Sequence, residues 1–269
     1  MPATPPPDAA ALTDAVVTPG SPWSSVTVLA ATGSTNQDLT VAARNGAAEG
    51  TILITDNQTA GRGRLARSWT TPPGVSVATS VLLRPTDVPR ERWPWLSLMT
   101  GLGVLEGLKA ATALPVGLKW PNDVLIEDRK LCGLLAESVE TPSGSAVILG
   151  FGINVSMDRA ELPVETATSL RLEGAEVDKT VLLSEVLRAL GAAYRLWRDA
   201  PEALAARYVQ ECVTIGRDVR VQLADSEVTG TAVGIDHSGG LRVRTPAGVR
   251  TFSAGDVVHL RPTPSRTLS

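Results

Sequence analysis

The chain has 269 residues, 43% of them hydrophobic, which is enough for one large core and a smaller second one. Its formal net charge of -3 argues against a protein devoted to nonspecific nucleic-acid binding. Two cysteines without metal-ligand spacing, two histidines in structural settings and no apolar run of about 18 residues argue against a disulfide framework, a histidine-rich zinc site, Ser-His-Asp chemistry and a membrane span. A reduced, cytoplasmic location fits this cysteine usage.

Residues 1–25 are rich in Pro, Ala and Thr, lack periodicity and read as a disordered or weakly ordered lead, with room for a short helix around Ala9 to Val16. Val26 to Leu29 reads as a first strand. Ser34 followed by Gln37 matches a capping box, so a helix should start there and end near Gly46. Thr51 to Thr55 reads as a strand, and Val75 to Leu83 as a half-buried one. Trp93 to Leu114 carries apolar residues at helical spacing, and Gly101, Gly103 and Gly107 within it predict close packing.

A strand carrying Lys119 then runs into the Pro121-Asn122-Asp123 turn. Val124 to Glu127, Leu131 to Val139 and Ala146 to Val155 are spaced as an antiparallel meander. Ser156 to Thr168 is loop-like. Asp178 can cap a helix reaching about Trp197, and Pro201 starts another to about Gln210. From Thr214 onward, short alternating strands separated by turns predict a small SH3-like barrel. His237 falls in a turn and His259 ends a strand. The expected units are residues 26–211, a catalytic domain, residues 212–262, the barrel, and residues 263–269, a tail.

The most informative stretch runs from Asn57 to Trp69, where Gly61-Arg62-Gly63-Arg64 is followed by Arg67 and Trp69. Glycines let backbone approach a ligand closely. Arginines supply planar donor forks for carboxylates and phosphates, and an indole offers a flat face to a heteroaromatic ring. Alone, the run reads equally well as a solvated basic loop or an RNA-binding patch. As a ligand loop, residues 62–68 should be poorly ordered when empty and ordered by an anionic ligand. Lys119, Asn122, Asp123, Lys130 and Asn154 stand at strand mouths and would add to a positively charged pocket. No P-loop is present. Cations without a histidine base or cysteine nucleophile suit activation of a carboxylate by ATP, where positioning and electrostatics supply most of the barrier reduction.

These residues carry a resemblance. Gly33-Ser34-Thr35-Asn36, Gln58-Thr59-Ala60-Gly61-Arg62-Gly63-Arg64 with Arg67 and Trp69, Lys119-Trp120-Pro121-Asn122-Asp123, Lys130-Leu131-Cys132-Gly133-Leu134-Leu135 and Gly150-Phe151-Gly152-Ile153-Asn154-Val155 occur in the order found in biotin protein ligases. The chain resembles the short type of that family, from about Val26 to Leu260. Cys132 stands where the family often has a small residue.

The resemblance implies an α+β fold, a mixed sheet with helices related to class II aminoacyl-tRNA synthetases, plus the SH3-like domain. It implies that biotin and MgATP give biotinyl-5′-AMP, whose biotinyl group passes to a lysine of a biotin carboxyl carrier domain. Ser34, Thr35, Asn36 and Gln58 would read the ureido end of biotin. Arg62, Gly63 and Arg64 would wrap the carboxylate side and the phosphate, with Arg64, Arg67 and Lys130 as the catalytic cations. Trp69 would stack on adenine; Lys119, Asn122, Asp123 and Asn154 would line the nucleotide side. Residues 157–168 would form a second loop over the adenylate. No residue is assigned as a metal ligand; magnesium would be held by phosphates and water, with Asp123 an outer contact. Neither nucleic acid nor membrane is expected as a partner. The nearest alternative is a lipoate ligase or octanoyltransferase of the same fold family. A biotin-responsive repressor would need a helix-turn-helix module for which the lead before Val26 is too short.

Overall fold

The computed structural model describes residues 4–64, 67–223 and 225–260. The expected tail at 263–269 and the Leu65–Ala66 part of the arginine loop lie outside the described residues.

The main sheet has seven strands in the order β1-β2-β5-β9-β8-β7-β6. They are β1 (Ser25–Leu29), β2 (Thr51–Thr55), β5 (Ser76–Leu83), β6 (Val116–Lys119), β7 (Asp123–Ile126), β8 (Arg129–Thr141) and β9 (Gly144–Asn154); between β2 and β5 lie the short β3 (Gly61–Arg62) and β4 (Ser68–Trp69). β1 and β2 pair in parallel and the remaining neighbours antiparallel, so the sheet is mixed and β7 to β9 form the expected meander.

The sheet is covered on both faces. Helix α2 (Thr35–Arg44) places Leu39 and Ala43 against Leu82, Val139, Ala146 and Ile148. Helices α3 (Trp95–Thr112) and α4 (Lys179–Asp199) cover the other face with the larger core. β5 is therefore buried along its whole length rather than half-buried: Val77, Val81 and Leu83 enter the larger core and Leu82 the smaller. Alternation in its sequence reports side-chain size, not exposure. α3 packs on α4 at Gly103 and Gly107, where a Cβ on Gly103 would stand 2.6 Å from the Leu190 Cα. The Asp178 cap forms as expected, accepting from the backbone N–H groups of Thr180 and Val181 at 2.7 and 3.1 Å. The capping box at Ser34 does not form: its side chain makes no cap bond, and Gln58 Oε1 instead accepts from the Thr35 N–H at 3.0 Å.

In the described part of the lead, from Thr4 onward, the short helix expected around Ala9 to Val16 forms and is packed down. Helix α1 (Ala9–Val16) is capped by Asp8, which accepts from Ala10 and Ala11 at 2.9 and 3.1 Å. Leu12, Val16 and Trp23 are buried, and the Trp23 indole N–H donates to the Leu187 carbonyl at 2.8 Å. Three spaced apolar anchors outweigh the Pro- and Ala-rich composition, because each buries its surface against α4 or the sheet.

After α5 (Pro201–Glu211), a separate five-stranded antiparallel sheet is built from β10 (Asp218–Gln222), β11 (Glu227–Ile235), β12 (Leu241–Thr245), β13 (Gly248–Phe252) and β14 (Asp256–His259), in the order β13-β12-β11-β10-β14. Two tryptophans fix it to the main body. The Trp120 indole donates to the Gly239 carbonyl at 2.9 Å and that of Trp95 to the His237 carbonyl at 2.8 Å.

Candidate active site

A cavity of about 300 Å³ opens where β5, β8 and β9, the arginine loop and β14 converge. It gathers Ser34, Thr35, Asn36, Gln58, Arg62, Gly63, Arg64, Arg67, Trp69, Lys119, Asn122, Asp123 and Lys130, drawn from six separated segments. Asn154 is the exception. It is buried at the end of β9, where its amide donates to the Thr168 carbonyl at 2.8 Å, so it holds the following loop instead of lining the cavity. That loop, expected to fold over a ligand, is pinned along Lys130: the Lys130 N–H donates to Thr166 O at 2.7 Å and the Thr168 N–H to Lys130 O at 2.9 Å.

One end of the cavity is a neutral polar network. Two loops lie side by side there, with the Thr59 N–H donating to Thr32 O and the Ala60 N–H to Gly33 O at 2.9 and 2.8 Å. Gln58 Oε1 accepts from Thr35 Oγ1 at 3.2 Å. Ser80 Oγ lies 2.7 Å from Thr35 Oγ1 and 2.6 Å from Asn36 Oδ1. Asn36 Nδ2 donates to Glu137 Oε2 at 2.7 Å, which fixes the orientation of the Asn36 amide. Gly150 lies under Asn36; a Cβ there would strike its side-chain amide.

The other end is cationic, and most of its cations have partners. Arg62 pairs with Glu137 at 3.1 Å, Arg64 donates to Asn122 Oδ1 at 3.2 Å, Arg67 pairs with Asp256 of β14, and Lys130 Nζ lies 2.6 Å from Asp123 Oδ1. Lys130 at its strand mouth thus already has a carboxylate beside it. Burial lowers the Lys119 pKa from its ordinary value, Asp123 opposing this and Lys130 adding to it.

Between the two ends lies Trp69. Gly61 and Arg62 pair with Trp69 and Ser68, closing the arginine stretch into a narrow hairpin. The indole rests on two glycines paired across β8 and β9: a Cβ on Gly152 would come within 2.6 Å of the ring and one on Gly133 within 2.9 Å. Its N–H is buried and has no partner among the described residues, and Lys130 Nζ stands 5.7 Å from the ring centroid. The glycines inside β8 and β9 thus mark a close approach, as glycines in strands often do.

Sequence reasoning missed Glu137, Gln222 and Asp256. Glu137 is an exposed-looking acid in an alternating strand. Gln222 and Asp256 sit in a different sheet and reach the cavity only through the docking of that sheet. The histidines take no part in the cavity lining. His237 supplies a carbonyl to Trp95. His259 contacts Thr214 and Arg217, and burial lowers its pKa to about 4.

Residues 29–154 match the Biotin/lipoate A/B protein ligase family, and residues 214–260 match the Biotin protein ligase C terminal domain. The chain is 42% identical over 262 residues to a biotin--[acetyl-CoA-carboxylase] ligase of Mycobacterium tuberculosis, covering 96% of this chain and 97% of that protein. It is 33% identical to the bifunctional ligase/repressor BirA of Bacillus subtilis, across 86% of this chain and 71% of that one. Its fold superimposes on the biotin protein ligase from Aquifex aeolicus in complex with biotin and ATP with a TM-score of 0.76, at 29% identity, covering 88% and 99% of the two chains. With this cavity, two docked sheets and full-length similarity to a biotin--[acetyl-CoA-carboxylase] ligase, the chain belongs to the biotin protein ligase family.

Proposed function

We propose that the cavity carries out both half-reactions of an ATP-dependent biotin protein ligase within residues 26–211, with residues 212–262 closing one wall. In the first, a biotin carboxylate oxygen attacks the α-phosphorus of ATP and pyrophosphate leaves, giving biotinyl-5′-AMP. In the second, the neutral amine of an acceptor lysine attacks the acyl carbon, AMP leaves with the electron pair, and the amine proton is released. The acceptor is a biotin carboxyl carrier domain of an acyl-CoA carboxylase, and the setting is cytoplasmic. No described helix is long and apolar enough to cross a membrane.

One observation carries the reading: uncharged hydrogen-bonding side chains and a cluster of cations line the same cavity. Ser34, Thr35, Asn36 and Gln58 suit a ureido ring, which needs both donors and acceptors. Arg62, Gly63, Arg64, Arg67 and Lys130 suit the carboxylate and the α-phosphoryl group, whose charge grows in the transition state. Trp69 offers its face to adenine, with Lys119, Asn122 and Asp123 on the nucleotide side. Magnesium accompanies ATP and screens its phosphates. The oxygens around it would come from phosphates and water, with the Asp123 carboxylate as an outer contact. The test is transfer of labelled biotin to a purified carrier domain with and without ATP, beside a lipoate arm. Transfer of lipoate in preference to biotin, or transfer independent of ATP, overturns the reading.

A further inference from the structure

Outside the cavity lining, Lys179 is a fully buried lysine that the chemistry above does not use. It is the first residue of α4. Its ammonium donates to Asp56 Oδ2 at 2.8 Å, to the Gly74 carbonyl at 2.8 Å and to the Thr4 carbonyl at 3.1 Å. An ammonium has three protons, and all three are used. Asp56 and Gly74 are the two feet of the segment that carries Gln58, the arginines and Trp69. They also meet directly, the Gly74 N–H donating to Asp56 O at 2.8 Å. Gly74 has φ +80°, so its carbonyl is aimed by a conformation other residues rarely adopt.

We propose that Lys179 is a positioning residue for the ligand-binding segment. It joins α4 and the amino-terminal lead to both feet of that segment and thereby sets where Gln58 and Trp69 stand in the cavity. The core needs no lysine there: replacing a buried ion pair by neutral groups of similar size often leaves stability unchanged, whereas removing one partner strands the other. The pair selects one placement of two backbone strands, because Asp56 and Gly74 are held together and at a fixed distance from α4. Asp8, whose N–H donates to Thr180 Oγ1 at 3.0 Å, ties the lead to the same helix end. None of the three hydrogen-bond partners of the ammonium lines the cavity, so its influence on ligands passes through the backbone.

This inference rests on the proposed ligase reading. Its test is the full-length double variant Lys179→Met with Asp56→Asn, which leaves neither charge stranded. Thermal midpoint is measured first, then initial rates of pyrophosphate release. A positioning role predicts a midpoint close to wild type, KM values for biotin and ATP raised at least ten-fold, and kcat within about three-fold. A merely structural pair predicts that a variant with restored midpoint also has wild-type KM values; that result overturns the proposal. Should the double variant fail to fold, Lys179→Gln with Asp56→Asn decides. It leaves no charge stranded, but an amide has two N–H donors for the three acceptors, and the proposal expects both KM values to rise at least three-fold at retained kcat. Unchanged values overturn it. A wild-type protein inactive with biotin and ATP sinks the ligase reading itself, which is a separate outcome.

Discussion

The Lys130 ammonium stands 2.6 Å from Asp123 Oδ1, across the hairpin that joins β7 to β8. The lysine therefore arrives at the cavity already oriented by a carboxylate. An anionic ligand has only to compete with one partner, not to order a free side chain.

Lys130→Ala removes a preorganised charge from the cationic end. Loss of such a contact costs about 2.7–4 kcal/mol of transition-state stabilisation, or about 10²–10³-fold in rate. Pyrophosphate release by the folded variant should fall by that factor. A near-wild-type rate contradicts the role assigned to Lys130.

Trp69→Ala should weaken ATP more than biotin. Stacking of a base on an aromatic ring contributes about 1–3 kcal/mol in single-stranded nucleic-acid complexes. Titration calorimetry with ATP in the presence of a nonreactive biotin analogue reads the difference. Equal losses for both ligands would place the indole elsewhere in the reaction.

Gly150→Ala acts at the opposite end. The added methyl group displaces the Asn36 amide from its place between Ser80 and Glu137. Disturbing buried polar partners costs about 1–3 kcal/mol, so the KM for biotin should rise about ten-fold while that for ATP moves much less. A parallel rise in both shows that the two ends are not separable.

His259 predicts a pH dependence of stability. Burial, Lys119 and Arg217 lower its pKa to about 4, against an ordinary value of about 6.5, so the folded protein holds it neutral. Unfolding makes protonation easier. The stability it supports is complete above about pH 6.5 and is lost as the pH falls towards about 4. His259→Gln keeps a hydrogen-bonding side chain without titrating there. Its thermal midpoint should fall less steeply than wild type between those pH values, and parallel curves would remove His259 as the cause.

Much of this was readable in residues. The Asp178 cap, the Pro201 start, the β7–β9 meander and the chain order of Ser34, Gln58, Arg62, Lys119 and Lys130 all depend on local signals a few residues long. What escaped depends on distance. Glu137 looks like a solvated strand residue until Asn36 and Arg62 are seen to flank it. Asn154 resembles its neighbours in sequence, but the strand end turns it towards Thr168. Asp56 and Lys179 lie 123 residues apart, and nothing in either neighbourhood announces the other. The short helix in the lead was legible, but its packing was not, because composition averages over Leu12, Val16 and Trp23, whose individual burial decides it.

The cavity wall contributed by Asp256, Val257 and Val258 bears on synthesis. A ribosome makes the chain from its amino end at about 5–20 residues per second. Lys130 and the arginines emerge long before β14 exists to face them. A nascent chain can fold its main sheet while still lacking one side of the site. The cavity should therefore be complete only once β14 has left the exit tunnel and docked on the main sheet.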